Sequence, residues 1–386
     1  MNQLGRSLMA KIIVFGAGLV GRAIALDLAS QHEVTCVDLN KKVLARLKKE
    51  NDSIQTINFD LASQKDYTAL VADYDLVVSA LPGYLGFEIL KKSILSGKNI
   101  VDASFFPENC FDLNHLAKKH NVFAVVDCGV APGMDNIILG HLDTKMEVTR
   151  FECLVGGLPA KRHWPFNFKS LFSPRDVLQE YTGPARYVEN GEIVEREALS
   201  DCELMEIKRV GTLEAFNTDG LRTLIKTMDH IPYMKEKTLR YPGHCEYIQV
   251  LKASGFFSTD PIELNGIEFN PFEVSAKILE ENWTLANNEE EFTVVRTTIE
   301  GDENGKKRRY IYRMLDKTDQ ENNISSMART NGYTASAVAN FVLSNKLEAG
   351  ICAPETLGAL DGAFKYILDY LEHRGIIYRA EETIIE

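Results

Sequence analysis

The stretch Ile12–Gly21, IIVFGAGLVG, constrains the fold more than any other part of the sequence. The apolar, β-branched run Lys11–Phe15 predicts a buried parallel strand, and Arg22–Ser30 has a helical pattern. Strand, glycine-rich turn and helix in this order are the arrangement that a dinucleotide pyrophosphate requires. The helix N-terminus would offer N–H groups and a partial positive charge to that anion.

Each glycine of this turn has a predicted role. Gly16 permits the tight turn, Gly18 lets the backbone approach the phosphates, and Gly21 lets the helix pack closely on its strand. Leu19 and Val20 complete the predicted cofactor-binding turn. The alternative is a strand, turn and helix whose glycines serve only packing.

A second predicted strand, Glu33–Val37, ends at Asp38. A carboxylate at this position is placed to accept hydrogen bonds from the adenosine ribose hydroxyls, and it would repel a 2′-phosphate. We therefore expect the cofactor NAD rather than NADP. Lys41 and Lys42 follow closely and soften that preference.

The composition is that of an ordinary globular protein and argues against several other classes. The 386 residues, of which 45% are hydrophobic and 25% charged, suffice for two domains with separate cores. A net charge of -12 disfavours a nucleic-acid partner. We expect no membrane span and no signal peptide, because no apolar run is long enough. The seven cysteines form no C-x-x-C pair, which favours a cytoplasmic location and neither a disulfide framework nor a metal site.

From Lys11 to about Asn136, predicted strands alternate with helices, which implies a parallel sheet covered on both faces. Its ligand should lie beyond the carboxyl ends of the strands. After about Glu147 the strands are longer and more alternating, which indicates an α+β domain. The predicted strands are Lys11–Phe15, Glu33–Val37, Ser53–Asn58, Leu76–Ser79, Asn99–Asp102 and Val122–Val126, then Arg150–Val155, Thr293–Ile299 and Tyr310–Leu315; helices are predicted late in the chain at Tyr333–Asn345 and Gly362–Arg374.

Three short segments follow predicted strands at this carboxyl edge: Ser79–Pro82, Asp102–Ser104 and Asp127–Gly133, the last leading to Asp135 and Asn136. Nicotinamide and substrate would meet there. Three carboxylates near one edge cost free energy unless they bind something. We predict that Ala80, Leu81 and Pro82 contact the cofactor, and that Ser104, Asp127 and Asp135 contact the substrate.

These segments, with others further along, resemble the saccharopine dehydrogenase family and within it the bacterial lysine 6-dehydrogenases. The resemblance spans nearly the whole chain in order. It rests on GAGLVG at Gly16–Gly21, VVDCGVAPGMDN at Val125–Asn136, VGGLP at Val155–Pro159, FKSLFSPRDVLQEY at Phe168–Tyr181, GTLEAFNTDGLRTL at Gly211–Leu224, RYPGHCE at Arg240–Glu246 and MARTNGYTASAVA at Met327–Ala339.

The resemblance implies an α/β fold, a Rossmann doubly wound parallel sheet with an inserted α+β domain. The dinucleotide-binding domain would comprise residues 1–136 and 325–386, and the substrate-binding and dimerisation domain residues 137–324. It further implies a homodimer and an amino-acid substrate. Hydride would pass from the ε-carbon of lysine to NAD, and water would hydrolyse the imine. Two alternatives stay open: a saccharopine or carboxynorspermidine dehydrogenase, and a non-catalytic NAD-binding sensor.

Candidate substrate residues lie in the second domain. A guanidinium grips a carboxylate in bidentate fashion, so Arg222 is predicted to clamp the substrate α-carboxylate, unless it forms only a salt bridge. Asp219 would pair with that arginine or hold a substrate ammonium. His244 is predicted to transfer protons, with a structural role as the alternative. A second clamp, as a two-carboxylate substrate needs, would come from Arg162, Arg175 or Arg240.

In the turn after the sixth strand, Asp127 and Asp135 have two predicted roles. One would bind the substrate amine, and the other would cap the following helix. Cys128, between them, is expected to be a buried thiol rather than a nucleophile, because hydride transfer needs none.

Overall fold

The computed structural model describes residues 9–63, 67–170, 174–286 and 289–385. The chain divides into two compact units. The first comprises the described residues up to Thr144 together with Ala328–Ile376, and the second comprises Lys145–Met327 and the described residues from Ile377 onward. Within the described ranges, no helix has the length and hydropathy needed to cross a lipid bilayer.

Strands and helices alternate through the first unit, and strands dominate the second. The strands are β1 (Lys11–Phe15), β2 (Glu33–Asp38), β3 (Gln55–Asn58), β4 (Leu76–Ser79), β5 (Ile100–Asp102), β6 (Phe123–Val125), β7 (Glu147–Pro159), β8 (Pro184–Glu189), β9 (Glu192–Glu197), β10 (Glu203–Ile207), β11 (Gly211–Asn217), β12 (Tyr233–Arg240), β13 (Ile262–Leu264), β14 (Ile267–Phe269), β15 (Glu291–Glu303), β16 (Lys306–Lys317), β17 (Gly350–Cys352) and β18 (Arg379–Ile384). The helices are α1 (Leu19–Leu28), α2 (Lys41–Glu50), α3 (Thr68–Val71), α4 (Gly83–Leu95), α5 (Asn114–Lys119), α6 (Met134–Asp143), α7 (Pro174–Thr182), α8 (Leu224–Thr227), α9 (His244–Ala253), α10 (Pro271–Trp283), α11 (Ser326–Ser344), α12 (Pro354–Gly358) and α13 (Ala363–Glu372), with a 3-10 turn at Cys110–Leu113.

The sheet of the first unit has the strand order β17-β6-β5-β4-β1-β2-β3 and is parallel throughout its described pairs. This is the 3-2-1-4-5-6 order of a doubly wound Rossmann sheet, extended by one strand. Phe15 lies opposite both Val37 and Ser79, and Ser79 lies opposite Asp102. The residues that follow these strands therefore share one edge of the sheet.

The sheet of the second unit is mixed. Its order is β10-β11-β12-β7-β15-β16-β18, with β8 and β9 attached beside β12. Strands β12 and β7 pair in parallel, whereas β15 pairs antiparallel with β7 and with β16. Cores of aromatic and aliphatic side chains lie around Trp283 and around Leu239. The predicted fold class, a doubly wound parallel sheet with an inserted α+β domain, is confirmed.

The division of the chain differs from the predicted boundaries, most clearly at the end. The prediction assigned residues 325–386 to the nucleotide domain, but β18 pairs antiparallel with β16 in the second sheet. Strand β7 also runs well beyond the predicted Arg150–Val155, because Gly156 and Gly157 continue its pairing with β15. A Cβ on Gly156 would lie 2.6 Å from the carbonyl oxygen of Leu239, so this glycine permits close packing within the sheet.

Candidate functional site

The glycine turn between β1 and α1 is determined by close backbone contacts. Gly16 has φ +95°, and a Cβ on it would lie 2.6 Å from the carbonyl oxygen of Ala80. A Cβ on Gly21 would lie 2.0 Å from the carbonyl oxygen of Gly16. By contrast, a Cβ on Gly18 would meet nothing within 4 Å. Gly16 and Gly21 are thus needed by the fold itself, while Gly18 borders open space at the start of α1, beside Leu19 and Val20.

Asp38 is fixed against this turn. The backbone N–H of Ala17 donates to Oδ2 of Asp38 at 2.7 Å, and the N–H of Asn40 donates to Oδ1 at 2.7 Å. Each carboxylate oxygen retains acceptor capacity beyond one such bond. Lys41 and Lys42 are exposed at the start of α2. The structure therefore places a carboxylate at the end of β2, beside the glycine turn.

The ends of β4 and β5 are joined through Ser104. Its hydroxyl lies 3.3 Å from that of Ser79 and accepts a hydrogen bond from the backbone N–H of Leu81 at 3.2 Å. The N–H of Ala80 donates to the carbonyl oxygen of Phe15 at 2.9 Å, and Pro82 directly precedes α4. Hydrogen bonds to Phe15 and Ser104 thus hold Ala80 and Leu81 at the sheet edge.

Asp102 is a buried carboxyl group that the predicted site did not include. Its side chain is fully buried, and Oδ1 accepts the backbone N–H of Ser104 at 2.9 Å. Oδ2 has no hydrogen-bond partner among the described residues. Burial raises the pKa of Asp102 to about 7, and the charge of Asp127 adds to the rise. Its position at the end of a predicted strand was the signal that could have identified it.

The segment after β6 is also buried and strained. Asp127 has φ +53°, which a non-glycine residue rarely adopts, and it is 3% exposed. The N–H of Cys128 donates to the backbone carbonyl of Asp102 at 3.0 Å, and the N–H of Val130 donates to Oδ1 of Asn331 at 3.0 Å. This segment is therefore fixed to the end of β5 and to α11.

Asp135 and Asn136 lie in the first turn of α6. Asp135 is 1% exposed, next to the positive end of the helix dipole. Oδ1 of Asn136 accepts the N–H of Gly133 at 3.2 Å, and Nδ2 donates to Glu355 at 3.0 Å. Asn136 thus makes the contact with the helix start that was predicted for an aspartate.

Asp219 pairs with Arg186 in the second unit, a partner that the sequence analysis did not consider. The guanidinium of Arg186 contacts both carboxylate oxygens of Asp219, at 2.7 Å for Nη2 and 3.0 Å for Nε. The hydrogen bond and charge of Asp219 raise the pKa of Arg186, and the charge of Arg222 opposes this rise. Arg222, at φ +46°, therefore belongs to the same charge cluster. Arg186 and Asp219 are 33 positions apart in the sequence, so the sequence analysis did not identify Arg186 as the partner of Asp219.

His244 is enclosed in the core of the second unit. It is fully buried, and Nδ1 lies 2.9 Å from the carbonyl oxygen of Phe166, to which it donates. Nε2 lies 3.1 Å from the hydroxyl of Tyr181 and accepts a hydrogen bond from it. Burial lowers the pKa of His244 to about 3, and the charge of Arg240 acts in the same direction. The predicted proton-transfer role finds no support in this geometry, since both ring nitrogens have partners; the structural alternative agrees with it.

A polar network extends from this histidine along β12. Nε of Arg240 donates to the hydroxyl of Tyr181 at 3.0 Å. Thr238 donates to Glu180 at 2.8 Å and lies 2.8 Å from the hydroxyl of Thr218. Burial raises the pKa of Glu180. The network reaches Thr218, one residue before Asp219 of the charge cluster.

The three arginines considered for a second carboxylate clamp have other contacts. Arg162 lies over the ring of Tyr241, with 4.6 Å between the guanidinium carbon and the ring centroid. Arg175 forms an ion pair with Glu273 at 2.7 Å. Arg240 is buried and donates a hydrogen bond to the hydroxyl of Tyr181. Among the described residues, no group of three or more His, Cys, Asp or Glu side chains is placed to hold a metal ion.

The first sheet, with its glycine turn and the carboxylate at the end of β2, defines the class of Rossmann-type dinucleotide-binding proteins. Residues 12–125 match the family model described as the saccharopine dehydrogenase NADP binding domain. Residues 129–376 match the saccharopine dehydrogenase C-terminal domain. The chain belongs to the saccharopine dehydrogenase family, and its first unit is the domain that binds a nicotinamide dinucleotide.

Relatives with assigned names support this membership. The chain is 26% identical over 275 residues to saccharopine dehydrogenase [NADP(+), L-glutamate-forming] of Saccharomyces cerevisiae. The aligned region covers 66% of the chain and 60% of the yeast protein. It is 29% identical over 201 residues to the mitochondrial alpha-aminoadipic semialdehyde synthase of Rattus norvegicus, covering 50% of the chain and 22% of that protein. It is 22% identical over 332 residues to the carboxyaminopropylagmatine dehydrogenase of Synechocystis, covering 80% and 82%.

A solved structure agrees with the fold. The apo saccharopine dehydrogenase (L-Glu forming) of Saccharomyces cerevisiae superposes with a TM-score of 0.78 at 20% identity, covering 97% of this chain and all of that one. The chain spans less than two thirds of the length of several named relatives, among them the rat and yeast proteins.

Proposed function

We propose that the protein is an NAD-dependent dehydrogenase that oxidises a C–N bond of an amino acid, with L-lysine as substrate and its ε-amine as the reacting group. The proposal rests chiefly on one observation: the glycine turn, Asp38 and the buried Asp102 lie at the same carboxyl edge of the sheet. Cofactor-binding and proton-accepting groups are then at one edge of the sheet of the first unit.

The residues of the glycine turn fit a dinucleotide. Open space next to Gly18 allows phosphates to approach the backbone. Asp38, held by the N–H of Ala17, is oriented to accept from ribose hydroxyls. A 2′-phosphate would meet this carboxylate, which favours NAD over NADP. Bound NAD would supply the hydride acceptor. Ala80, Leu81 and Pro82 follow β4 at the same sheet edge, where they would border the nicotinamide.

Asp102 is the group best suited to accept a proton. The reacting amine must be unprotonated before hydride can leave its carbon. A base acts best when its pKa lies near the working pH, as does the pKa of about 7 of Asp102. Asp127 is close enough to influence that pKa. We assign Asp102 as the base, with Ser104 orienting it and Asp127 and Asp135 holding the substrate amine.

In the second unit, Arg222 is proposed to clamp the substrate α-carboxylate, and Asp219 to orient the α-ammonium. Arg186 holds Asp219 in place through hydrogen bonds from its backbone N–H and its guanidinium. Because Arg162, Arg175 and Arg240 have other contacts, the geometry favours a substrate with one carboxylate, as lysine has, over one with several.

A secondary amine, in which two carbon skeletons are joined through nitrogen, is the second candidate substrate. Its support is that the Synechocystis relative, named as a carboxyaminopropylagmatine dehydrogenase, is matched over 82% of its length. Saccharopine belongs to the same chemical class.

A direct assay separates these candidates. The purified protein is mixed with NAD, and in parallel with NADP, at mildly alkaline pH, and the absorbance of the reduced nicotinamide is followed. Lysine, saccharopine and a panel of diamines are compared. Turnover on lysine alone supports the proposal. Turnover on saccharopine alone would show that the substrate is a secondary amine. Tight NAD binding without any turnover would instead support a sensor.

A homodimer remains part of the proposal. The hairpin β13–β14 carries Ile262, Leu264, Ile267 and Phe269 on one face, because Ile262 pairs with Phe269 and Leu264 with Ile267. All four are exposed in the single chain. A two-stranded hairpin needs a packed face for stability, and a second copy of this chain would supply it. The cytoplasmic location stays a prediction.

A further inference from the structure

Two cysteine thiols of the second unit lie side by side although they are 43 positions apart in the sequence. Cys202 precedes β10, and Cys245 lies in the first turn of α9. Their Sγ atoms are 2.7 Å apart, and each lies 3.3 Å from the carbonyl oxygen of Leu199. A disulfide requires about 2.05 Å between the sulfurs. A movement of about 0.6 Å would therefore bring the two sulfurs to bonding distance.

The segment that carries Cys202 is held in place by several hydrogen bonds. Nε2 of Gln249 donates to the carbonyl oxygen of Leu199 at 2.7 Å, and Nζ of Lys237 donates to that of Asp201 at 2.8 Å. Leu199 and Asp201 have φ +67° and +49°, which the surrounding contacts must maintain. The two thiols are thus positioned by the fold.

The two thiols differ in access and charge. Cys202 is exposed, whereas Cys245 is 1% exposed. The hydrogen bond from Cys245, with help from the charge of Lys237, lowers the pKa of Cys202. The same hydrogen bond and burial raise the pKa of Cys245, next to the carboxylate of Glu214. Cys202 is therefore the thiol that reacts first, and the neighbouring Cys245 is the second thiol within reach of it.

We propose that Cys202 and Cys245 form a reversible disulfide, a redox-modification site distinct from the candidate active site. With hydrogen peroxide as oxidant, the Cys202 thiolate attacks one peroxide oxygen, the O–O bond breaks, and a sulfenic acid forms with release of hydroxide. The sulfur of Cys245 then attacks that of Cys202. The S–S bond forms, the S–O bond breaks, and the departing hydroxide takes the Cys245 proton as water. Two thiols lose two electrons, and peroxide becomes two waters.

The bond would connect the segment Leu199–Glu203 covalently to α9. That segment contacts the end of β11, where the N–H of Asn217 donates to the carbonyl oxygen of Ser200 at 3.0 Å. Oxidation would thus stiffen the support of the loop that begins at Thr218. Backbone amides of Leu199–Glu203 should exchange with solvent at least several-fold more slowly in the oxidised protein.

Peptide mapping of the full chain tests the proposal. The protein is treated with a small excess of hydrogen peroxide, alkylated under denaturing conditions and digested with trypsin. We expect peptides 197–208 and 241–252 to appear joined, with the loss of two hydrogens, and to separate after dithiothreitol. Peroxide that leaves both thiols open to alkylation, or carries Cys202 to sulfinic acid without the joined peptide, would overturn it.

Two variants serve as controls. In Cys202→Ser, the joined peptide should be absent and Cys245 should stay fully alkylatable, because a buried thiol has no access to peroxide. In Cys110→Ser, which alters a buried cysteine of the other unit, joining should proceed as in the wild type. Oxidation of Cys245 in Cys202→Ser at the wild-type rate would contradict the assigned order of attack.

Discussion

Both units bury polar and charged groups, but the two sheets hold them by different means. At the edge of the parallel sheet, carboxylates are held by backbone N–H groups: Asp38 by Ala17 and Asp102 by Ser104. In the mixed sheet, charged and polar side chains hold one another, as Arg186 holds Asp219 and Tyr181 links Arg240 to His244.

The difference determines what each surface is free to do. A carboxylate held by the backbone keeps an oxygen for other contacts, as Oδ2 of Asp102 does among the described residues. A side chain that completes a network, such as His244, has its hydrogen-bonding capacity used up. We therefore expect substitutions at the first edge to alter binding and catalysis, and substitutions of His244 and its partners to alter stability.

The largest effect is expected from Gly21→Ala, because the added Cβ would lie 2.0 Å from the carbonyl oxygen of Gly16. We expect the free energy of unfolding to fall by about 3 kcal/mol in urea titrations. Gly18→Ala is the matched control: with nothing within 4 Å, it should change stability by less than about 0.5 kcal/mol while weakening NAD binding. Equal urea midpoints for the two variants would show that close backbone contacts at Gly21 do not determine the conformation of the turn.

Asp102→Asn should lower kcat/KM for the amine substrate by about 100-fold. In the wild type, activity should rise with pH as the carboxyl, with its pKa of about 7, loses its proton. The variant should lack that rise. Ser104→Ala, which leaves the carboxyl in place, should retain it. If Asp102→Asn kept the rise in activity near pH 7, Asp102 would not be the base of the reaction.

His244→Gln should cost about 2 kcal/mol of unfolding free energy, because it disturbs the contacts to Tyr181 and Phe166. The folded pKa of about 3 lies below the ordinary value, so wild-type stability should decline as pH falls from about 6.5 toward 3. The variant should lack this part of the decline. The pH–activity profile of His244→Gln should match that of the wild type. If the variant instead lost an ionisation that controls the rate, His244 would have the catalytic role after all.

Asp38→Ser is expected to have the smallest effect. It removes the carboxylate that would repel a 2′-phosphate, and the exposed Lys41 and Lys42 remain nearby. The ratio of the Kd values for NADP and NAD should shift about tenfold toward NADP, or about 1.4 kcal/mol. Changing both lysines to alanine in the same background should reverse most of the shift. An unaltered ratio would show that Asp38 does not select the cofactor.

Features set by local sequence were predictable. Strands β1 and β4 have the predicted bounds, because continuous apolar runs end at glycine or polar residues. The alignment of Asp38 with the glycine turn follows from parallel pairing, and the turn itself was recognisable from glycine spacing. Asp102 was visible at a strand end, but its complete burial was not.

Features set by distant contacts were not predictable. Arg186 lies 33 positions before Asp219, and nothing nearby in the sequence marks the pair. The burial of His244 depends on rings from separate segments, including Phe168, Phe216 and Trp283. Strand β18, RAEETI, is mostly polar and is exposed throughout, so its sequence lacks the apolar alternation that identifies a half-buried strand.

The crossing of the chain between its two units has a consequence for biosynthesis. The chain leaves the first unit after Thr144, returns at Ala328, and enters the second again at Ile377. The parallel sheet therefore lacks β17 until Gly350–Cys352 has left the ribosome, and the mixed sheet lacks β18 for longer still. Neither unit can reach its final strand pairing before its last strand has emerged, and until then the chain must keep two unfinished sheets from pairing with other chains.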